Sequence, residues 1–131
     1  MEYVIGVDLG TSGTKTVLFS TDGQPLASKT IEYPLYQPQN GWAEQAPEDW
    51  WHAACGSMKE VISKSGINPK DIKGIGISGQ MHGLVMLDKA GNVLRKSIIW
   101  CDQRTAAECE EITNKVGASR LIELTANPAL T

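Results

Sequence analysis

Asp8, Thr11, Ser12 and Lys15 are gathered with Gly10 and Gly13 into one short stretch, Asp8-Leu-Gly-Thr-Ser-Gly-Thr-Lys15. A carboxylate, two hydroxyls, an ammonium and a glycine-rich backbone are the parts needed to hold a phosphate beside a hydrated cation. The amides and hydroxyls would donate to phosphate oxygens, Lys15 would add positive charge, and Asp8 would offer a hard oxygen to Mg²⁺. Two commoner phosphate loops do not fit. A P-loop has glycine directly before its lysine and a helix after it, whereas Thr14 precedes Lys15 and the β-branched Thr16 and Val17 follow. Gly74-Ile-Gly-Ile-Ser-Gly79 matches the dinucleotide pattern G-x-G-x-x-G, but its glycines fall inside a strand pattern and no helix opens behind them.

The elements that must position this stretch can be read from the alternation around it. Tyr3 to Asp8 and Lys15 to Ser20 are β-rich runs flanking a turn whose Gly10 and Gly13 can take positive φ, so a β-hairpin with a looped tip is expected. Asp22-Gly23 signals a tight turn into a third strand within Gln24 to Tyr33, completing an antiparallel meander. Pro34, Pro38 and Asn40-Gly41 make Pro34 to Gln45 a loop, with Trp42 plugged onto the body. Pro47 starts a helix with an acidic first turn; Trp51, Ala54, Cys55, Met58, Val61 and Ile62 recur at helical spacing, and Gly66 ends it. Trp50 and Trp51 are read as core rather than as a stacking platform. Ile72 to Ser78 is expected to be a central strand, with Leu84 to Asp88 as a further strand leading into a hairpin-like connection. A second helix follows Cys101-Asp-Gln-Arg104 as far as Val116, with Ala106, Cys109, Ile112 or Thr113, and Val116 on one face. Ser119 caps a short third helix through Leu124.

Composition narrows the function classes. The 131 residues are 41% apolar, enough for a core, and the net charge of −3 comes without a basic patch, which disfavours nucleic acid and anionic membranes as partners. No apolar run reaches membrane-spanning length, and the acidic Met1-Glu2-Tyr3 start has no basic leader region, so a cytosolic protein is expected. Cys55, Cys101 and Cys109 show neither zinc-site nor disulfide spacing and are read as reduced thiols.

Four stretches in order give a more specific reading: the Asp8 to Lys15 tip, Gln45-x-Pro47-x-x-Trp50-Trp51, Gly76-Ile-Ser-Gly-Gln-Met-His-Gly83 and Trp100-Cys-Asp-Gln-Arg104. Together they resemble sugar kinases of the FGGY family over the whole chain, and the Gln-Met-His-Gly form is most similar to the family's xylulose-phosphorylating branch. The resemblance implies an α/β, ribonuclease H-like (actin-like ATPase) domain: a mixed five-stranded sheet with flanking helices, incomplete at its C-terminal end. Residues 1–131 would be the first part of the N-terminal domain. It implies ATP and Mg²⁺ as cofactors and D-xylulose as substrate, with room for a homodimer of the full-length protein. Asp8 would be the catalytic aspartate orienting Mg²⁺, and Gly10, Thr11, Ser12, Gly13 and Lys15 the phosphate-binding hairpin. Met81 and His82 would bind the sugar, and Gln80, Asp102 and Arg104 would line or support its pocket. His82, at a strand end where chains bend toward clefts, suits sugar hydroxyls because one ring nitrogen donates and the other accepts. Asp102 reads equally as a helix N-cap. The family's general base lies beyond Thr131, so this stretch alone is expected to be inactive. Gluconate, ribulose or glycerol kinases, and a noncatalytic actin-like nucleotide-binding module, are the alternatives.

Overall fold

The computed structural model describes residues 1–131. Its first strands are β1 (Tyr3–Leu9), β2 (Gly13–Ser20) and β3 (Pro25–Glu32), joined as the antiparallel meander that the sequence predicts. Gly23 closes the second turn at φ 90°. Helix α1 (Pro47–Ser65) then carries the chain back, and β5 (Ile72–Gly79) pairs parallel with β1, giving the order β3-β2-β1-β5. Parallel neighbours need such a crossover, and a helix is its usual form. Proline opens α1, Glu48 and Asp49 fill its first turn, and Gly66 ends it at φ 66°. Two-residue strands β4 (Glu44–Gln45) and β6 (Ser97–Ile98) form a separate ribbon beside the main sheet. Helices α2 (Ala106–Val116) and α3 (Ala118–Thr125) follow, turning at Gly117.

Alternation along the strands sorts the sheet into two faces. Ile5 and Val7 of β1 stand beside Leu18 and Thr16 of β2 and are buried under α1 through Ala53, Ser57 and Val61. Val4, Gly6 and Asp8 share the other face with Phe19, Val17 and Lys15. Ile5, Val7, Leu18 and Val61 form the core cluster; full burial of such a side chain is worth about 1.5–3 kcal/mol. The buried hydroxyls of Thr16 and Ser57 satisfy each other at 2.6 Å where the helix crosses the sheet.

Several expectations change on inspection of the packing. The main sheet has four strands, because Leu84 to Asp88 contributes only an isolated bridge, Leu87 to Val93. Strand β5 is therefore an edge in this chain, with open space above Gly74 and Gly76. Helix α1 lies over β2 and β3, leaving Ile75 and Ile77 55% and 77% exposed and Trp51 68% exposed. Trp51 is thus not core here. Helix α2 begins at Ala106 and buries none of its predicted face, while α3 is capped at Gly117 with Ser119 inside it. The loop from Pro34 contains β4 at its end. Gly10 and Gly13 do not take positive φ. They are glycine for space: a Cβ on Gly13 would stand 2.8 Å from the Ile31 carbonyl oxygen, and one on Gly10 would stand 3.2 Å from that of Gly13.

Candidate functional site

Parallel pairing of β1 with β5 brings the two chemistry-bearing stretches together. Asp8 is the register partner of Lys15 on one side and of Ser78 on the other, and the Ser78 hydroxyl donates to Asp8 Oδ1 at 3.3 Å. The carboxylate sits exposed on the open face, above a cleft of about 470 Å³ floored by Gly6, Val17 and Gly76. One step on, Gln80 N–H donates to the Leu9 carbonyl at 2.9 Å, so the chain leaves β5 beside the glycine-rich turn.

The turn itself is braced from behind. The Tyr33 hydroxyl donates to the Gly10 carbonyl and accepts from Thr14, and Tyr33 N–H reaches Ser12 O at 3.4 Å. Burial pushes the Tyr33 phenol above its ordinary pKa, with the Asp8 charge adding to the rise. Gly10 N–H is taken by Gly13 O at 3.0 Å. The Thr11 hydroxyl donates to Gln80 Oε1 at 3.3 Å and accepts from Trp100 Nε1 at 2.9 Å. Two of the expected phosphate donors, the Gly10 amide and the Thr11 hydroxyl, are therefore committed to the protein. The Thr11 and Ser12 amides make no hydrogen bond, and the exposed Ser12 hydroxyl and Lys15 ammonium are likewise unpaired. Those groups can receive an anion.

Gln45, in the Gln45-x-Pro47 stretch, belongs to the site although nothing local in the sequence assigns it there. Its side chain is fully buried; Nε2 donates to Thr11 O at 2.6 Å, and Oε1 accepts from Gln80 Nε2 at 2.7 Å and Trp50 Nε1 at 3.1 Å. Trp100, Tyr33 and Ser78 also belong to the site without a sequence signal of their own. No local pattern marks them, because the partners that give them a place in the site lie far along the chain.

Met81 and His82 project from the loop after β5, both exposed, and His82 has φ 66°, a left-handed conformation that costs a non-glycine residue about 1–2 kcal/mol. His82 and Trp100 line a cleft of about 630 Å³ with Ile98, Thr105, Asn127 and Pro128. Met81 and Gln80 border its neighbour. Strain held at a cleft edge is a mark of binding loops.

Asp102 and Arg104 do not face that cleft as ligands. Asp102 is 1% exposed and accepts from Ala43 N–H at 2.6 Å and from Arg104 N–H and guanidinium at 2.7–2.9 Å. It is not the cap of α2, which Thr105 precedes. Arg104 goes on to Glu44 at 2.8 Å and stacks at 3.6 Å over Trp42, the plug foreseen from the sequence. The pair clamps the Trp42 to Gln45 segment. Hydrogen bonds from Arg104 hold the Asp102 carboxyl down at about 2 and raise the arginine in turn.

For a metal, Asp8 is the candidate. No group of three His, Cys, Asp or Glu could cage an ion. One exposed carboxylate next to an anion-receptive turn fits Mg²⁺, which keeps waters and takes phosphate oxygens as its remaining ligands.

No helix is long and apolar enough to cross a membrane. The chain is 46% identical over 130 residues to the xylulose kinase of Bacillus subtilis (strain 168), covering 99% of this chain and 26% of that enzyme. Among solved structures, a ligand-bound xylulose kinase from Lactobacillus acidophilus superposes with a TM-score of 0.85 at 32% identity, covering 94% of this chain and 24% of that one. A gluconate kinase from the same organism gives 0.84 at 33%, covering 93% and 24%. The chain thus spans about a quarter of the length of the relatives it matches, and its fold is the actin-like α/β class of these kinases. The profile for the N-terminal domain of the FGGY family of carbohydrate kinases matches residues 3–131. With profile, sequence and backbone in agreement, the chain belongs to the FGGY family of carbohydrate kinases.

Proposed function

We propose that the intact protein carrying this chain transfers the terminal phosphoryl group of ATP to D-xylulose, giving ADP and D-xylulose 5-phosphate, in the cytosol, and that residues 1–131 are the first part of its N-terminal domain. The observation that carries this reading is the meeting of an anion-receptive turn with a strained Met81-His82 loop at the ends of two parallel strands. Phosphoryl transfer is mainly alignment and charge neutralisation, so adjacency of these two surfaces is what the reaction asks of a protein. The free Thr11 and Ser12 amides, Ser12 Oγ and Lys15 would receive the nucleotide's phosphates. Asp8 would hold Mg²⁺, whose chemistry is to neutralise charge on the transferring group. His82 and Met81, backed by Gln80, would orient the sugar, with Asp102 and Arg104 supporting them at one remove.

Backbone similarity does not choose the sugar, since the xylulose and gluconate kinases superpose almost equally well. The choice falls to side chains, and the neutral Met81 beside His82 carries no fixed cation to pair with a sugar acid. The test is ADP release by the intact protein with Mg²⁺ and a panel of D-xylulose, D-ribulose, D-gluconate and glycerol. The expected order puts D-xylulose first in kcat/KM. Preference for gluconate or glycerol overturns the substrate, and no turnover with any of them overturns the kinase reading.

A further inference from the structure

Gln45 touches both halves of the site and neither ligand surface. Its carboxamide closes a ring: Gln45 Nε2 to Thr11 O, Gln80 Nε2 to Gln45 Oε1, and Thr11 Oγ1 to Gln80 Oε1, at 2.6, 2.7 and 3.3 Å. Only a side chain with a donor at one end and an acceptor at the other closes it. Glutamate lacks the donor for the Thr11 carbonyl, asparagine is a methylene short, and methionine has the length without the polarity. The backbone beneath is held: Gln45 pairs with Ser97 in the β4–β6 ribbon, and Asp102 and Arg104 clamp the preceding residues. A fully buried amide on a rigid ribbon thus ties the phosphate turn to the residue from which the sugar loop departs.

We infer that Gln45 is a positioning residue for phosphoryl transfer, setting the separation between the Thr11 turn and the Gln80-Met81-His82 loop; this rests on the kinase reading above. Reacting atoms must be brought to about 3–3.5 Å, and a displacement of about 1 Å costs on the order of 100-fold in rate. Gln45 therefore acts on the alignment of two bound substrates rather than on the affinity for either.

The experiment uses the intact protein with ATP, Mg²⁺ and D-xylulose, comparing wild type with Gln45→Met and Gln45→Glu. Gln45→Met is expected to lower kcat by roughly 10- to 100-fold, with dissociation constants for sugar alone and ATP alone within about threefold of wild type. Gln45→Glu keeps the two accepted bonds and sets an oxygen against the Thr11 carbonyl. Its kcat is expected to rise as pH falls and the carboxyl takes up the proton it can donate there, a pH limb absent from wild type. This second variant decides the matter if Gln45→Met does not fold. Unchanged kcat in Gln45→Met, raised KM with kcat intact, or a pH profile in Gln45→Glu parallel to wild type overturns the inference. Wild type active with both variants equally active removes this inference alone. A wild type inactive with all four substrates of the panel above removes the kinase reading and this one together.

Discussion

Thr11 and Ser12 are neighbours with the same functional group and opposite fates. Thr11 is bound to Gln80 and Trp100, while Ser12 stays free. Residue types in the tip suit an anion, but which hydroxyl is spare depends on partners 69 and 89 positions away. Local pattern carries no such information. His82 shows a similar split between chemistry and fold. Replacing it by glycine is expected to stabilise the domain by up to about 1 kcal/mol, relief of the left-handed strain exceeding glycine's extra freedom when unfolded. The same change should raise the sugar KM of the intact protein by about 10-fold or more. Chemical denaturation and steady-state kinetics check the two halves; a destabilised His82→Gly variant would contradict the strain argument. Asp102 gives a pH signature. Its folded pKa of about 2 lies below the ordinary 3.8, so its contribution to stability is complete above about pH 4 and is lost as pH falls through 2. The thermal midpoint of wild type should exceed that of Asp102→Asn at neutral pH, and the gap should close between pH 4 and pH 2. A gap constant down to pH 2 would sink this assignment.

At the scale of elements, what was local was legible. The meander and α1 follow from alternation, turn residues, a leading proline and a terminal glycine, and each sits close to where those signals put it. Strand β5 reads as central in the sequence but is an edge in this chain, because a run of isoleucine and glycine looks the same whether a neighbour covers it or not. The face of α1 was similarly blurred: its apolar residues wrap from Val61 under the sheet to Trp51 in the open. These two sides should respond differently. Val61→Ala is expected to cost about 1–3 kcal/mol, and Ile77→Thr no more than about 0.5 kcal/mol in the 131-residue chain. Urea titrations of both variants at concentrations low enough to keep the chain monomeric check this, and equal losses there would mean that Ile77 is covered.

For the whole molecule, the uncovered side of α1 and β5 forms a cleft of about 390 Å³ lined by Val7, Leu9, Trp51, Met58, Ile75 and Ile77 with almost no polar surface. An apolar patch of that kind beside an unpaired strand edge favours association. The 131-residue chain on its own is therefore expected to run as oligomers by light scattering, and a monodisperse monomer at tens of micromolar would contradict the expectation. The resemblance read in the sequence reached the family because four short stretches kept their order. It could not reach the clamp of Asp102 and Arg104 on Trp42 and Glu44, which exists only once the loop and the ribbon are packed together.

The pairing of β1 with a strand some seventy positions further on has a consequence for biosynthesis. Emerging from the ribosome, the three meander strands and α1 can make their contacts with one another within the first 65 residues, whereas β1 must wait for β5, and Thr11 for Gln80 and Trp100. Contacts far apart in sequence form late. Stalled nascent chains exposing only the first 66 residues should therefore protect β2 amides from exchange while leaving the tip open, with closure arriving once Trp100 clears the exit tunnel. Simultaneous protection of both would refute this order of assembly.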